Sequence, residues 1–233
     1  VTVPVCVIVG AGPGNGGAFA QRFSRGGYRV GLIGRRADPL SQLEYRAPGA
    51  RSYVADATDA EALSAAFERI REELGPPSVL IYNASTRDFA GFDQTTPEDL
   101  ESAWRVNTLG CLLAAREVVP DMRREGQGTL IVIGATASLK GAAGFLAFCS
   151  AKAAQRSLAQ SLARELGSEG LHVAYVIIDA VIDMPASRAM FPDRRDDFFA
   201  KPEAIAESVY FLSQQPRSAW TFELDLRPFG ERW

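Results

Sequence analysis

The sequence predicts an α/β fold, a doubly wound parallel sheet with helices on both faces, and three observations carry that prediction. Short β-branched runs alternate with longer amphipathic stretches along the whole 233-residue chain. The first of these runs, residues 5–9, breaks into glycines at positions 10, 12, 14 and 16, as where a strand turns sharply into a helix. No repeat, linker or low-complexity segment interrupts the alternation, and the length suits a single domain over residues 1–233.

Taken in order, the runs place seven strands near 5–9, 29–33, 52–54, 78–82, 129–133, 172–178 and 222–226. Helices fill the gaps. The glycines open one from about Gly16 to Arg25. Residues 59–74 begin with Asp59 as N-cap and set Leu63, Phe67, Ile70 and Leu74 on one face, the pattern of a helix covering a sheet. Pro97, followed by Glu98 and Asp99, starts another that runs to about Arg124. Residues 184–201, MPASRAMFPDRRDDFFAK, carry two prolines and mixed charge, and are expected to be irregular, a solvated connector or a mobile lid. The last strand alternates Phe222, Leu224 and Leu226 with Glu223, Asp225 and Arg227, and Phe229 and Trp233 beyond it are candidates to cap a subunit interface.

Composition removes several function classes. The formal net charge is −3 with a pI near 5.4, and Lys and Arg are interspersed with acids, so neither nucleic acid nor an anionic membrane surface is an expected partner. Cys6, Cys111 and Cys149 are widely spaced, and His172 is the one histidine, which supports neither a disulfide framework nor a metal site and fits a reducing, cytoplasmic setting. No apolar run reaches membrane-spanning length, and the N-terminal run ends in glycines rather than a cleavage site, so it reads as a strand.

The glycine segment is the first functional signal. Glycine permits close ligand approach, and the helix it opens aims free N–H groups and a positive dipole end at an anion, which makes a phosphate cradle suited to a dinucleotide. Its spacing, Gly10-x-x-x-Gly14-x-Gly16, resembles that of the short-chain dehydrogenase/reductase family. Further landmarks of that family fall in order over nearly the whole chain: Asp56 after the third strand, Asn83-Ala84 after the fourth, Asn107 in the long helix and Lys152 opening the next. The resemblance implies a Rossmann fold with seven parallel strands, a nicotinamide cofactor, and homodimers or homotetramers built from the two long helices. It implies cofactor contacts from Gly10, Gly14, Asn15 and Gly16, from Asp56 and Ala57 at the adenine, from the backbone of Asn83 and Ala84, and from Lys152 and Ile182.

After the second strand, where an acid would hold the ribose hydroxyls of NAD, the chain has Gly34-Arg35-Arg36. A guanidinium offers bidentate hydrogen bonds to a phosphate that an Asp would repel, so NADP(H) is expected in preference to NAD(H). The second basic residue that many NADP-binding relatives carry in the glycine loop is Pro13 here, which leaves Arg35 to carry most of the selectivity.

The resemblance also locates a departure. The family reduces carbonyls with a Tyr that donates a proton, a Lys four residues later and an upstream Ser. The segment Phe148-Cys149-Ser150-Ala151-Lys152 aligns with the Tyr–Lys motif, so Phe148 stands for the Tyr, and Ala135 stands for the Ser thirteen residues earlier. General acid catalysis contributes about 10²–10⁴-fold, so ordinary ketone reduction should be severely impaired. Asn107 and Lys152 remain, with Lys152 expected at the nicotinamide ribose. Phe145 occupies the alternative Tyr position used by enoyl reductases of the family, and Cys149 reads as packing. Asp179-Ala180 replaces the usual Pro-Gly after the sixth strand, and Met184 replaces a Thr. Asp179 is read as a turn residue, with a proton donor or an anchor for a basic ligand as alternatives, and Asp183 as structural. Phe145, Phe148, Met184 and Phe191 suggest a small apolar substrate or ligand. Two functions follow: an NADP(H)-dependent oxidoreductase with a non-standard site, or a cofactor-binding sensor or partner subunit without catalysis.

Overall fold

In the computed structural model, which describes residues 3–86 and 89–230, strand β1 (Val5–Val9) lies inside a seven-stranded, all-parallel sheet, third from one edge. Its neighbours are β2 (Arg29–Gly34) and β3 (Ala50–Val54) on one side, then β4 (Pro77–Tyr82), β5 (Gly128–Ala135), β6 (Leu171–Ile178) and a final strand (Glu223–Leu226) on the other. The strand order reverses between β1 and β4, whose registers pair Val9 with Tyr82, and ligands of doubly wound sheets bind beyond the strand ends at such a switch point.

The period of two in β1 sorts its side chains between two cores. Val5, Val7 and Val9 pack with α3 (Ala60–Glu73), α5 (Gly110–Glu125) and α6 (Leu146–Leu166), whereas Cys6 and Ile8 pack with α1 (Asn15–Arg25) and α2 (Ala37–Arg46). The second core is completed by α8 (Pro202–Ser213), through Ile205, Ala206, Val209 and Leu212. Helix ends follow the caps: the Asp59 carboxylate accepts the Glu61 and Ala62 N–H groups, and Thr96 and Asp99 form a capping box at the start of α4 (Pro97–Trp104).

Two expectations need correction. The helix from Pro97 does not run unbroken to Arg124: Arg105–Leu109 is a π-helical segment between α4 and α5, and Asn107 lies within it. Residues 184–201 are not irregular throughout. They contain α7 (Pro185–Met190), and Phe199–Ala200, which is strand β8, pairs in parallel with Val181–Ile182, which is β7; Glu223–Leu226 is therefore β9. The physical reason is ionic. The Asp183 carboxylate takes two hydrogen bonds from Arg188 at 2.7 and 2.9 Å and one from Lys201 at 2.5 Å. Those bonds hold the Asp183 pKa well below the usual carboxylate range and tie the two ends of the segment together. Trp233 lies outside the described residues, and Phe229 is exposed. Among the described residues no helix is long and apolar enough to cross a membrane. Cys6, Cys111 and Cys149 are all free and buried.

Candidate active site

The glycine loop is held against the sheet by backbone contacts that admit no side chain. Gly10 has φ +86°, and the N–H groups of Gly10 and Ala11 both donate to the Ile33 carbonyl at 2.9 Å. A Cβ at Gly10 would stand 2.3 Å from the Ala84 nitrogen, so Asn83-Ala84 approach the loop as closely as backbone can. Asn83 closes the junction: its N–H donates to the Val9 carbonyl at 2.8 Å, and its side-chain Nδ2 to the Gly10 carbonyl at 2.9 Å. Gly14, φ +88°, precedes α1 with no side-chain cap. Beside it, the Asn15 Oδ1 is buried without a hydrogen-bond partner, and Gly16 packs on Ala11. A buried, orphaned acceptor calls for a donor from outside the chain.

Arg35 and Asp56, the residues expected at an adenosine, lie together. They line one cleft of about 270 Å³ with Thr58, Glu98, Glu101, Ser102, Arg105 and Val106. Arg35 and Arg36 are exposed, beyond the end of β2. Asp56 is fixed by a local turn, its Oδ1 accepting the Thr58 N–H and hydroxyl at 2.8 Å each. Ala57 lies deeper, buried with its carbonyl under Gly110, so it supports the helix junction rather than the cleft surface.

On the other side of the switch point, Lys152, Asn107 and Phe148 converge. Lys152 is 2 % exposed and donates to the Ile133 carbonyl and to Gln155 Oε1, both at 3.0 Å. Its nitrogen lies 5.9 Å from the Phe148 ring centroid. Asn107 is fully buried: Nδ2 donates to the Ala103 carbonyl at 2.9 Å and to Thr86 at 3.3 Å, while Oδ1 accepts the Ser85 hydroxyl at 2.9 Å. Phe148 meets Phe89 edge-on at 5.9 Å, and Phe89 also contacts Phe145 at 4.8 Å, which builds an aromatic wall beside the amine. Ala135 closes β5, and its carbonyl accepts the Ser138 hydroxyl at 2.7 Å.

Against this geometry, the comparisons with known proteins are decisive for the family. The short chain dehydrogenase family model matches residues 4–192. The chain belongs to the short-chain dehydrogenase family. It is 30% identical over 227 residues to 2-(R)-hydroxypropyl-CoM dehydrogenase of Xanthobacter autotrophicus, covering 90% of each chain. The crystal structure of a short-chain dehydrogenase from Rhodopseudomonas palustris matches with a TM-score of 0.83 and 30% identity, over 98% of this chain and 100% of the other. A metagenomic short-chain oxidoreductase in complex with NADP shares the fold, with a TM-score of 0.85 at 24% identity and 99% coverage of both chains.

Several features of this short-chain dehydrogenase were not legible in its sequence. Thr136 donates its hydroxyl to Asp179, whose other oxygen lies 3.6 Å from Arg227; Asp179 is therefore a paired side chain rather than a turn residue capping backbone N–H groups. Met184 lies over the glycine loop, its Sδ 2.5 Å from where a Gly14 Cβ would stand. Ile182 is half-buried in β7. Cys149 lines a separate groove with Ser138–Ala142 and Leu146. Gln155, which bridges Lys152 and Asn107, was missed, although its i,i+3 spacing from Lys152 on one helix was visible.

The depth of Lys152 has a measurable consequence. Burial pushes its pKa down to about 7 from an ordinary 10.5, with a small opposing effect from Cys111. Below pH 7 both folded and unfolded chains hold the proton and the folded state bears the full cost of the buried charge. Between about 7 and 10.5 the unfolded chain binds the proton that the folded chain releases, so stability rises with pH. The protein is expected to gain about 2 kcal/mol between pH 7 and 9 from this group. Thermal unfolding of Lys152→Met should show that rise flattened; an unchanged slope would place the effect elsewhere.

Proposed function

We propose that this chain binds NADP(H) in preference to NAD(H) and works as an oxidoreductase on a small apolar substrate, without the Ser–Tyr pair of its relatives. The observation that carries the cofactor reading is Arg35. It is exposed beyond β2, forms no ion pair or hydrogen bond among the described residues, and shares the adenosine cleft with Asp56. The residues present fit a dinucleotide: the loop is open at Gly12, where nothing lies within 4 Å of an added Cβ and a pyrophosphate has room, and the Asn15 Oδ1 lacks a partner that a ligand hydroxyl or water supplies. As an ammonium, Lys152 keeps one N–H for a ribose hydroxyl beyond its two internal bonds. When bound, the nicotinamide supplies or accepts hydride.

Phe148 has no proton to give, and the neighbouring Thr136 hydroxyl is committed to Asp179. The chemistry that suits such a site is hydride transfer to an activated C=C or C=N bond, where the substrate needs less help from a phenol. The aromatic wall of Phe89, Phe145 and Phe148 favours an apolar substrate. One cytoplasmic domain assembled as a homodimer or homotetramer through α4, α5 and α6 completes the reading; Leu100, Trp104 and Leu146 are exposed on these helices.

Titration with NADPH and NADH, followed by nicotinamide fluorescence and thermal shift, tests the cofactor reading. Selective binding of NADPH is expected. Arg35→Ala should weaken NADPH about 10–100-fold, the worth of a charged hydrogen-bonded contact, and leave NADH within about two-fold. Equal losses for both would refute the phosphate role. Binding without oxidation of NADPH across a panel of activated alkenes, imines and carbonyls would favour the sensor or partner-subunit reading that Phe148 and Ala135 also allow.

A further inference from the structure

Gln155 is completely buried on α6, where an apolar residue would pack without the cost of desolvating an amide. Every polar atom of its side chain is engaged. Oε1 accepts from the Lys152 amine at 3.0 Å and from the Tyr175 hydroxyl at 3.4 Å, while Nε2 donates to the Asn107 main-chain carbonyl at 2.8 Å. That carbonyl belongs to the π-helical segment, and the Asn107 side chain reaches on to Ser85 and Thr86 beyond β4. One amide thus links the amine on α6 to the helix that flanks the opposite side of the site. An ammonium has three donors; the Ile133 carbonyl and Gln155 take two of them, so the position of the amide decides where the third points.

We propose that Gln155 is a positioning residue for Lys152: by tying the amine to the Asn107 main chain, it directs the remaining N–H toward the bound ligand and couples the amine's protonation to the amide. The direction toward a ligand rests on the reading of the site as a nucleotide site; the coupling does not. Among the described residues, the ionisable groups recorded against the pair are Cys111 on α5 and Tyr175 on β6, with Tyr82 on β4 next to Cys111. Burial raises the pKa of all three and keeps them protonated near neutral pH, so Lys152 is the group that titrates there.

The chain has only three lysines, Lys140, Lys152 and Lys201, so NMR of the ε-carbons in protein labelled with 13C-lysine can follow Lys152 individually. The titration is made on folded, nucleotide-free wild type, Gln155→Leu and Gln155→Glu. A carboxylate beside the amine should raise the Lys152 midpoint by about one unit or more, and loss of the acceptor in the Leu variant should lower it. At pH 7 the Leu variant should bind NADPH about five-fold or more weakly, with the NADPH-to-NADH ratio unchanged because Arg35 sets it. Midpoints indistinguishable from wild type in the folded variants would overturn the proposal and leave Gln155 as packing, and a moved midpoint with undiminished NADPH affinity would overturn the directing role. If the Leu variant fails to fold, Gln155→Glu, which keeps the shape, decides the coupling alone. A wild type that binds neither nucleotide would overturn the cofactor reading and the directing role, while the coupling is still decided by the titration.

Discussion

Phe148→Tyr combined with Ala135→Ser is expected to raise NADPH-dependent reduction of small ketones by about 10²–10⁴-fold, the usual worth of a positioned general acid. The geometry explains why both changes are needed. At position 148 a phenol would be added to a ring whose centroid lies 5.9 Å from the Lys152 nitrogen, and a nearby ammonium lowers a phenol's pKa toward the working range. At position 135 a hydroxyl would supply what the neighbours cannot, because Thr136 donates to Asp179 and Ser138 donates to the Ala135 carbonyl at 2.7 Å. Phe148→Tyr alone should recover only part of the gain. Activity is read as NADPH oxidation against a ketone panel, with binding measured in parallel. Retained NADPH binding with no gain in rate would mean that residue 148 does not occupy the proton-donor position.

The sheet was legible because its signal is local and repeated. All seven strands fall within about two residues of the runs that announce them: inner strands are buried on both faces and apolar nearly throughout, as the fully buried Val5–Val9 is, while the edge strands Ala50–Val54 and Glu223–Leu226 mix apolar with charged positions. The glycine loop was legible for a related reason: the φ +86° at Gly10 and its approach to Ala84 leave no alternative residue. What sequence could not show depended on partners far along the chain. Residues 184–201 read as solvated charge, and their order comes from Asp183 meeting Lys201 and Arg188 together. The π-helical segment leaves no trace in Arg105–Leu109, a run that fits an α-helix equally well. Helix lysines reach solvent by default, and Lys152 is buried because Ala103, Ala147 and Ala151 let α4 and α6 pack closely beside it. Asp56, Asn83, Asn107 and Lys152 could be named as candidates from the sequence, whereas the hydrogen bonds that give each its surroundings could not.

Gly10→Ala should be among the most destabilising single substitutions in the chain, and Gly12→Ala, two residues away, close to neutral. At Gly10 a methyl group would lie 2.3 and 2.5 Å from the Ala84 nitrogen and Cα, and φ is +86°. The Ala84 backbone has little freedom to retreat, because Asn83 binds the Val9 carbonyl at 2.8 Å and the Gly10 carbonyl at 2.9 Å. Left-handed strain and the steric conflict together should cost about 3–5 kcal/mol, a fall in Tm of roughly 10 °C or more for a chain of this size. At Gly12 nothing lies within 4 Å of the added carbon, so stability should change by no more than about 0.5 kcal/mol. The two variants separate the loop's duties. Thermal unfolding reads the first, and NADPH titration of Gly12→Ala reads the second. Full stability with weakened nucleotide binding would place a phosphate against the open side of the loop at Gly12. A Gly10→Ala protein as stable as wild type would mean that the strand-to-helix turn adopts another conformation, and with it the cradle on which the cofactor reading stands.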